Sequence, residues 1–293
     1  MEHALTPFVL GELKKYGLSP EGAGVLRSRG GVTVLRVRGP EGGSCILKCF
    51  ENTASSRELE NYRILKSCGV PTLDVLGQSG RSILIEDIEA SPVFRLGREE
   101  DLSDPAAVRA IARWYRVLHE GGRAYAREHG SGMYGEWQRF TEEELDAVRE
   151  RFGLWESPGM RALREHCGEL RAIMDAAPKT LTYNDFYYTN MAVARDGSAA
   201  LMFDYDMLGA GCAEADLKNV TYWFSEENRR LFFEEYGPAD EALTLLDEIV
   251  SPAVTLSMAM ERDPLPDWAR EAMSELERAP ELMEALLDKR SRN

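Results

Sequence analysis

The sequence predicts an α+β protein of two lobes: a small antiparallel sheet with one main helix over residues 1–88, and a larger, mainly helical lobe over 89–293. Three observations carry this. Short runs of β-branched and aliphatic residues between glycines fill the first part and give way near Glu89 to long stretches of helical periodicity. Charge divides at the same place: residues 1–88 hold 11 basic and 10 acidic side chains, residues 89–293 hold 24 and 40. Finally, LTYNDFYYTNMAVARDGSAALMFDYD (181–206) reads as two strands joined by a turn inside the helical part. It sets Asp185, Asn190, Asp204 and Asp206 among Phe186, Met191, Val193, Met202 and Phe203, where desolvating a carboxylate costs free energy.

The elements follow in order. VLRSRGGVTVLRVRG reads as strand, turn and strand about Gly30-Gly31, with a PEGG turn at 40–43 leading into a third strand, SCILKCF. SSRELENYRILKSCG has helical spacing, with Leu59, Tyr62 and Leu65 on one face and Gly69-Val70-Pro71 ending it. TLDVLGQ and RSILIEDI read as two more short strands. Beyond Glu89, Asp104 and Pro105 supply the N-cap and first-turn proline of a helix lined by Ile111, Trp114, Tyr115 and Leu118. Thr141 and Glu144 have the spacing of a capping box, and 225–236, 239–251, 267–279 and 280–290 are helical in pattern.

Composition bounds the function. The chain of 293 residues, 44% hydrophobic, can bury one large core or two smaller ones. No uncharged apolar run approaches the roughly 20 residues of a membrane span. The start, MEHALTPFVLGELKKYG, lacks the basic region and long apolar segment of a signal peptide, so a cytoplasmic location without a membrane partner is expected. Five cysteines without a CxxC pair and four scattered histidines give no zinc spacing, and reduced, mostly buried thiols are expected. A net charge of −15 with no basic stripe argues against a nucleic-acid partner. The near-neutral first lobe suits a polyanion such as a nucleotide; the acidic second lobe suits a cationic ligand or simple solubility.

Single chemical signals are weak. Asp-x-x-x-x-Asn, as at Asp185 and Asn190, is common by chance, and Gly30-Gly31 alone is a hairpin turn. Lys48, inside CILKCF, stands out because a strand lysine must snorkel or meet an anion. Glu58 and Glu60 on the following helix are the candidate partners. The order of parts is more specific: glycine turn, strand lysine, helical glutamate, short hinge, Asp-x-x-x-x-Asn, then Asp204 closing an apolar strand.

In that order the chain resembles the aminoglycoside phosphotransferase and choline kinase family, from about Val25 to Val220. The family's H-G-D-x-x-x-x-N, I-D and D-L-A segments correspond to Tyr183-Asn184-Asp185 through Asn190, Phe203-Asp204, and Ala215-Asp216-Leu217. The resemblance implies a protein-kinase-like two-lobe fold and transfer of the γ-phosphate of ATP (or GTP), with Mg2+, to a hydroxyl of a small molecule. It implies Asp185 as the proton acceptor, Asn190 and Asp204 as metal ligands, and Lys48 on the α- and β-phosphates with Glu58, favoured over Glu60, as its ion-pair partner. Arg29, Gly30 and Gly31, in the turn 28–31, would cover the phosphates. Ile85 would pack under the base, with the Glu86 carbonyl and the Ile88 N–H on its edge. Asp216 and Tyr183 would support the catalytic loop. Tyr183 and Asn184 depart from the family's His and Gly.

A pseudokinase-like nucleotide-binding or scaffold protein is the alternative, and its usual sign, loss of Lys48, Asp185 or Asp204, is missing. A protein kinase is disfavoured because Asp-Phe-Gly and Ala-Pro-Glu are absent. The acceptor, aminoglycoside-like, choline-like, sugar or amino alcohol, is not legible, and no heptad pattern indicates an oligomer. Glu136, Glu214, Glu226, Glu227, Glu261 and Asp263 could attract a cationic substrate but read first as solvated helix positions, and Trp114, Trp137, Trp155, Trp223 and Trp268 could form a cation–π pocket but read first as core.

Overall fold

The computed structural model describes residues 5–39, 42–52 and 56–291. In chain order the elements are α1 (Pro7–Lys15), β1 (Gly24–Arg29), β2 (Val32–Arg38), β3 (Ser44–Phe50), α2 (Arg57–Ser67), β4 (Val75–Gln78), β5 (Ser82–Glu86), β6 (Phe94–Leu96) and α3 (Pro105–His129). There follow α4 (Glu142–Phe152), α5 (Pro158–Glu165), α6 (Cys167–Ala176), β7 (Thr180–Thr182), β8 (Met191–Ala194), β9 (Ala200–Met202) and β10 (Gly209–Gly211). The chain ends with α7 (Ala213–Thr221), α8 (Glu226–Tyr236), α9 (Glu241–Ala259), α10 (Asp267–Leu276) and α11 (Ala279–Ser291). Two compact units result: 1–122 with 185–208 and 224–236, and 123–184 with 209–223 and 237–293.

The first unit is built on a five-stranded antiparallel sheet of order β1-β2-β3-β5-β4. Its β1–β2 connection is a two-residue loop in which Gly30 and Gly31 have φ of 62° and 77°. A turn needing two positive φ values selects glycine, and a Cβ on Gly31 would lie 2.6 Å from Asn52 Nδ2. The turn expected at 40–43 lies partly outside the described residues, at 40 and 41. Alternate side chains of β2 and β3, Leu35, Val37, Cys45, Leu47 and Cys49, pack with Val9 and Leu13 of α1 into a core on one face. Lys48 stands between Leu47 and Cys49 and so belongs to the opposite face.

The stretch 181–206 differs from the two-strand expectation. Only β8 and β9 form the hairpin, with Met191 opposite Met202, and β6 extends it to three strands. Residues 180–182 pair instead with β10, a partner outside the stretch. The 3.6-residue pattern of α3 continues to His129, with Ile111, Trp114, Tyr115 and Leu118 buried as expected.

In the second unit α4, α5, α6, α9, α10 and α11 enclose a core centred on Leu163, Leu246, Ile249, Val250 and Leu256. Thr141 caps α4 by accepting from Glu144 N, while the Glu144 carboxylate accepts from Ser257 Oγ on α9. α9 has the length and mean hydropathy, 1.3, of a membrane span, but 56% of that window is buried in the protein. All five cysteines are free thiols; Cys68 alone is partly exposed. Of the five tryptophans only Trp114 is a fully buried core residue, while Trp155, Trp223 and Trp268 are exposed.

Candidate active site

Lys48 is the hub of the first unit's polar site. It is 8% exposed on β3, paired with Glu58 of α2, and its Nζ lies 2.6 Å from Asp204 Oδ1. Burial works against the ammonium, but the Glu58 and Asp204 carboxylates outweigh it and hold the Lys48 pKa above its ordinary value. Glu60 is exposed and pairs with Arg63 instead.

Two local arrangements bring these groups together. On α2, Glu58, Asn61 and Tyr62 share a face at helical spacing, i, i+3 and i+4. Asn61 Nδ2 donates to the Tyr205 carbonyl at 2.6 Å, and the Tyr62 ring meets the buried Tyr205 edge-on at 4.8 Å. The residue after Asp204 is thereby fastened to the helix that carries Glu58. On the hairpin side, Phe203 N donates to Asn190 O at 2.9 Å, one step beyond the Met191–Met202 pair. The antiparallel register therefore sets Asn190 beside Phe203 and Asp204. Asp204 itself has φ 63°, a left-handed conformation that aspartate tolerates better than most residues and that functional sites often require.

Asn190 Nδ2 donates to Asp185 Oδ2 at 3.0 Å and to the Asp185 carbonyl at 3.3 Å. With its NH2 so engaged, the Asn190 side chain keeps its carbonyl oxygen as acceptor. Desolvation and the carboxylates of Asp204 and Asp206 push the Asp185 pKa up to about 6, although its side chain remains exposed overall. Asp206 is exposed. In the second unit Asp216, fully buried, accepts from Tyr183 N at 2.7 Å and Asn184 N at 2.9 Å, the two residues preceding Asp185. Tyr183 is itself fully buried. Asn184 has φ 64°, which explains why asparagine can stand where the family pattern has glycine.

Part of this cluster lines a cavity of about 420 Å³ in the first unit, a size suited to a small ligand, while Asp185, Asp206, Asp216 and Tyr183 are not among its lining residues. Lys48, Glu58, Asn190 and Asp204 line the charged end. Leu26, Val34, Ile46, Leu73, Ile85 and Ile88 supply an apolar surface, and Arg27 and the Arg36–Asp87–Glu89 ion pairs also line it. Glu86 also lines it, its carboxylate accepting from Asp74 N at 3.0 Å. Arg29, Gly30 and Gly31 do not line it.

Several residues of the site escaped sequence reasoning. Asn61 had one usable signal, a polar residue three positions after Glu58 on the Tyr62 face. Arg27, which lines the cavity, is indistinguishable from Arg29 without the strand register. Asp87, buried at the end of β5, accepts from Arg36 Nε at 2.7 Å and Ser44 Oγ at 2.5 Å, pairings across three strands that no local pattern announces.

An antiparallel sheet bearing a lysine, a helix bearing its glutamate, and a hairpin closed by Asn190 and Asp204 define a protein-kinase-like fold. The model described as "Phosphotransferase enzyme family" matches residues 28–249. The chain belongs to that family, and by that membership it is a small-molecule phosphotransferase with an alcohol group as acceptor. No curated protein matches the sequence. Among solved structures, the streptomycin–ATP–APH(2″)-IIa ternary complex is similar with TM-score 0.66 and 16% identity, covering 93% of this chain and 96% of that one. Macrolide 2′-phosphotransferase MphH from Brachybacterium faecium gives TM-score 0.61, 16% identity and coverage of 92% and 96%. A choline/ethanolamine kinase family protein from Mesorhizobium loti gives TM-score 0.55, 16% identity and coverage of 94% and 95%. At these identities the likeness shows a common fold.

Proposed function

We propose that the protein transfers the γ-phosphate of ATP, or of GTP, to a hydroxyl of a small molecule, and that it does so in the cytoplasm with its nucleotide held by residues 1–88. The observation that carries this is the convergence of Lys48, Glu58, Asn190 and Asp204 on one cavity that also presents an apolar surface. A nucleotide has that polarity, an apolar base joined to a polyanion. Ile85 packs against the base, and the backbone of Glu86 and Ile88 supplies its edge contacts. Lys48 binds the α- and β-phosphates, kept charged and in place by Glu58.

The donor set suits Mg2+, since Asp204 offers a carboxylate and Asn190 an amide oxygen, and hard cations take oxygen ligands. When bound there, the metal would neutralise phosphate charge. Asp185 orients the acceptor hydroxyl and takes its proton; the oxygen bonds to the γ-phosphorus as the bond to the nucleoside diphosphate breaks. A pKa near 6 suits a base that must be free at neutral pH and still bind a proton in the transition state. Asp216 and Tyr183 hold the backbone that leads into Asp185. The acceptor is a small hydroxyl compound, and the acidic composition of residues 89–293 favours a cationic one.

A panel of aminoglycosides, macrolides, choline, ethanolamine and sugars, assayed for nucleotide-dependent phosphate transfer with Asp185→Ala as control, tests this reading. Transfer to one class, reduced at least 100-fold in the variant, is expected. Nucleotide binding without transfer to any acceptor would favour a pseudokinase-like protein, and equal turnover by the variant would remove Asp185 from the chemistry.

A further inference from the structure

Arg27 plays no part in the scheme above, yet it lines the same cavity as Lys48. Its placement follows from the β1–β2 register. Counting back from the glycine turn, Arg29 opposes Val32, Ser28 opposes Thr33 and Arg27 opposes Val34. Opposed residues share a face, so Arg27 lies on the side of Val34, which also lines the cavity. The pairing then shifts, and Val25 opposes Leu35, a fully buried residue of the core on the other face. Leu26 is the extra residue of this β-bulge. In a regular strand, consecutive side chains point to opposite faces. Here Leu26 and Arg27 both line the cavity, Leu26 with 51% of its surface exposed.

The three cations that line the cavity, Arg27, Arg36 and Lys48, differ in how firmly they are engaged: Arg36 is paired with Asp87 and Glu89. Lys48 is nearly buried between two carboxylates. The one ionic contact of Arg27 among the described residues is Asp204 Oδ2, 3.8 Å from Nη1, with the arginine side chain 57% exposed. That separation is too long for a hydrogen bond, and so exposed a pair contributes little. Arg27 thus has a fork of N–H donors largely free to engage an anion entering the cavity, in the planar geometry that phosphate oxygens accept. Arg29, two residues nearer the turn, does not reach the cavity.

We propose that Arg27 is a second phosphate-binding cation for the nucleotide, placed beside Lys48 by the β1 register, while the bulge adds Leu26 as an apolar cover toward the base. The proposal rests on the nucleotide reading of the cavity. Calorimetric titration of the 293-residue chain with ADP and with adenosine, in the absence of metal, separates the two ideas. Arg27→Ala is expected to weaken ADP about tenfold, the scale of one charge-assisted hydrogen bond, and to leave adenosine within about twofold of wild type. Arg27→Lys is expected to fall between wild type and alanine for ADP, because it keeps the charge and loses the fork. Unchanged ADP affinity in Arg27→Ala overturns the proposal, as does an equal loss for adenosine, which would assign the side chain to packing. If the wild-type chain binds neither ligand, the nucleotide reading falls and this inference with it; if it binds ADP and Arg27→Ala binds it equally well, only the inference falls.

Discussion

Lys48 Nζ lies 2.6 Å from Asp204 Oδ1 while it is also paired with Glu58, so a single ammonium joins β3, α2 and the end of the β8–β9 hairpin. The one ammonium offsets part of the negative charge of the two carboxylates. Removing the ammonium leaves two carboxylates facing each other, one of them, Glu58, only 2% exposed.

Lys48→Met is therefore expected to lower stability by about 3–5 kcal/mol at pH 8, the cost of stripping one partner from a buried ion pair. The loss should shrink toward pH 5. Burial already raises the Glu58 pKa despite the opposing lysine, and without Lys48 it rises further. A carboxyl whose folded pKa is raised keeps its stabilising proton at low pH and loses it as pH climbs. Urea unfolding at both pH values measures the difference, and Glu58→Gln added to Lys48→Met should recover part of the pH 8 loss. A loss independent of pH, with no recovery in the double variant, would show that the pair is not what holds these elements.

Asp216 accepts the amide hydrogens of Tyr183 and Asn184 at 2.7 and 2.9 Å. Asp216→Ala leaves both donors without this acceptor, a cost of roughly 2–5 kcal/mol. Asp216→Asn keeps one carbonyl oxygen and should lose about half as much. If the aspartate acts by holding the loop, kcat should fall at least tenfold in Asp216→Asn while nucleotide affinity stays near wild type. Equal losses in both quantities would place the effect in global folding.

The chain revealed its parts more readily than their pairings. Lys48 was visible by itself because a charged residue inside an apolar strand conflicts with local burial and calls for a reason, whereas Glu58, Asp185, Asn190 and Asp204 were legible only through the order of parts along the chain and the family resemblance that order carries. The Gly30-Gly31 turn and the Leu59–Tyr62–Leu65 face are local patterns and were equally visible. By contrast, β7 and β10 are three residues each and pair across 26 or more positions, so periodicity has almost nothing to act on. The Arg36–Asp87 and Asn61–Tyr205 bonds depend on which strand and helix become neighbours. The same holds for Arg27, whose side of the sheet is decided by one register shift.

Asn184 stands at φ 64° where the family pattern has glycine, and its Nδ2 donates to Thr182 Oγ1 at 2.9 Å and Thr182 O at 3.1 Å. Asn184→Gly removes those bonds yet accepts the backbone, so the net cost should stay within about 1 kcal/mol. Asn184→Ala loses the bonds and carries the left-handed penalty as well, for about 2 kcal/mol in all. Thermal unfolding of the two variants decides the matter: alanine no worse than glycine would mean that the dihedral angle does not constrain this position.

Glu136, in the second unit, has its pKa raised to about 8 by desolvation first and then by Asp247 and Asp216, with Asn219 and Lys218 opposing. Asn219 Nδ2 is 3.5 Å from Glu136 Oε2, a weak contact that leaves the carboxylate poorly compensated. In the unfolded chain the same group titrates near the ordinary glutamate value. The folded form therefore holds a proton that the unfolded form has released across the interval between the two. Stability from this group is complete below the unfolded pKa, declines as pH rises, and is lost once pH passes about 8. Glu136→Gln keeps the shape and removes the titration. The variant should match wild type near pH 5 and exceed it by on the order of 3 kcal/mol at pH 9, with the group's partial contact with water already discounted. Urea midpoints at pH 5, 7 and 9 give the comparison, and parallel curves for the two proteins would mean that Glu136 ionises as freely in the folded chain as in the unfolded one.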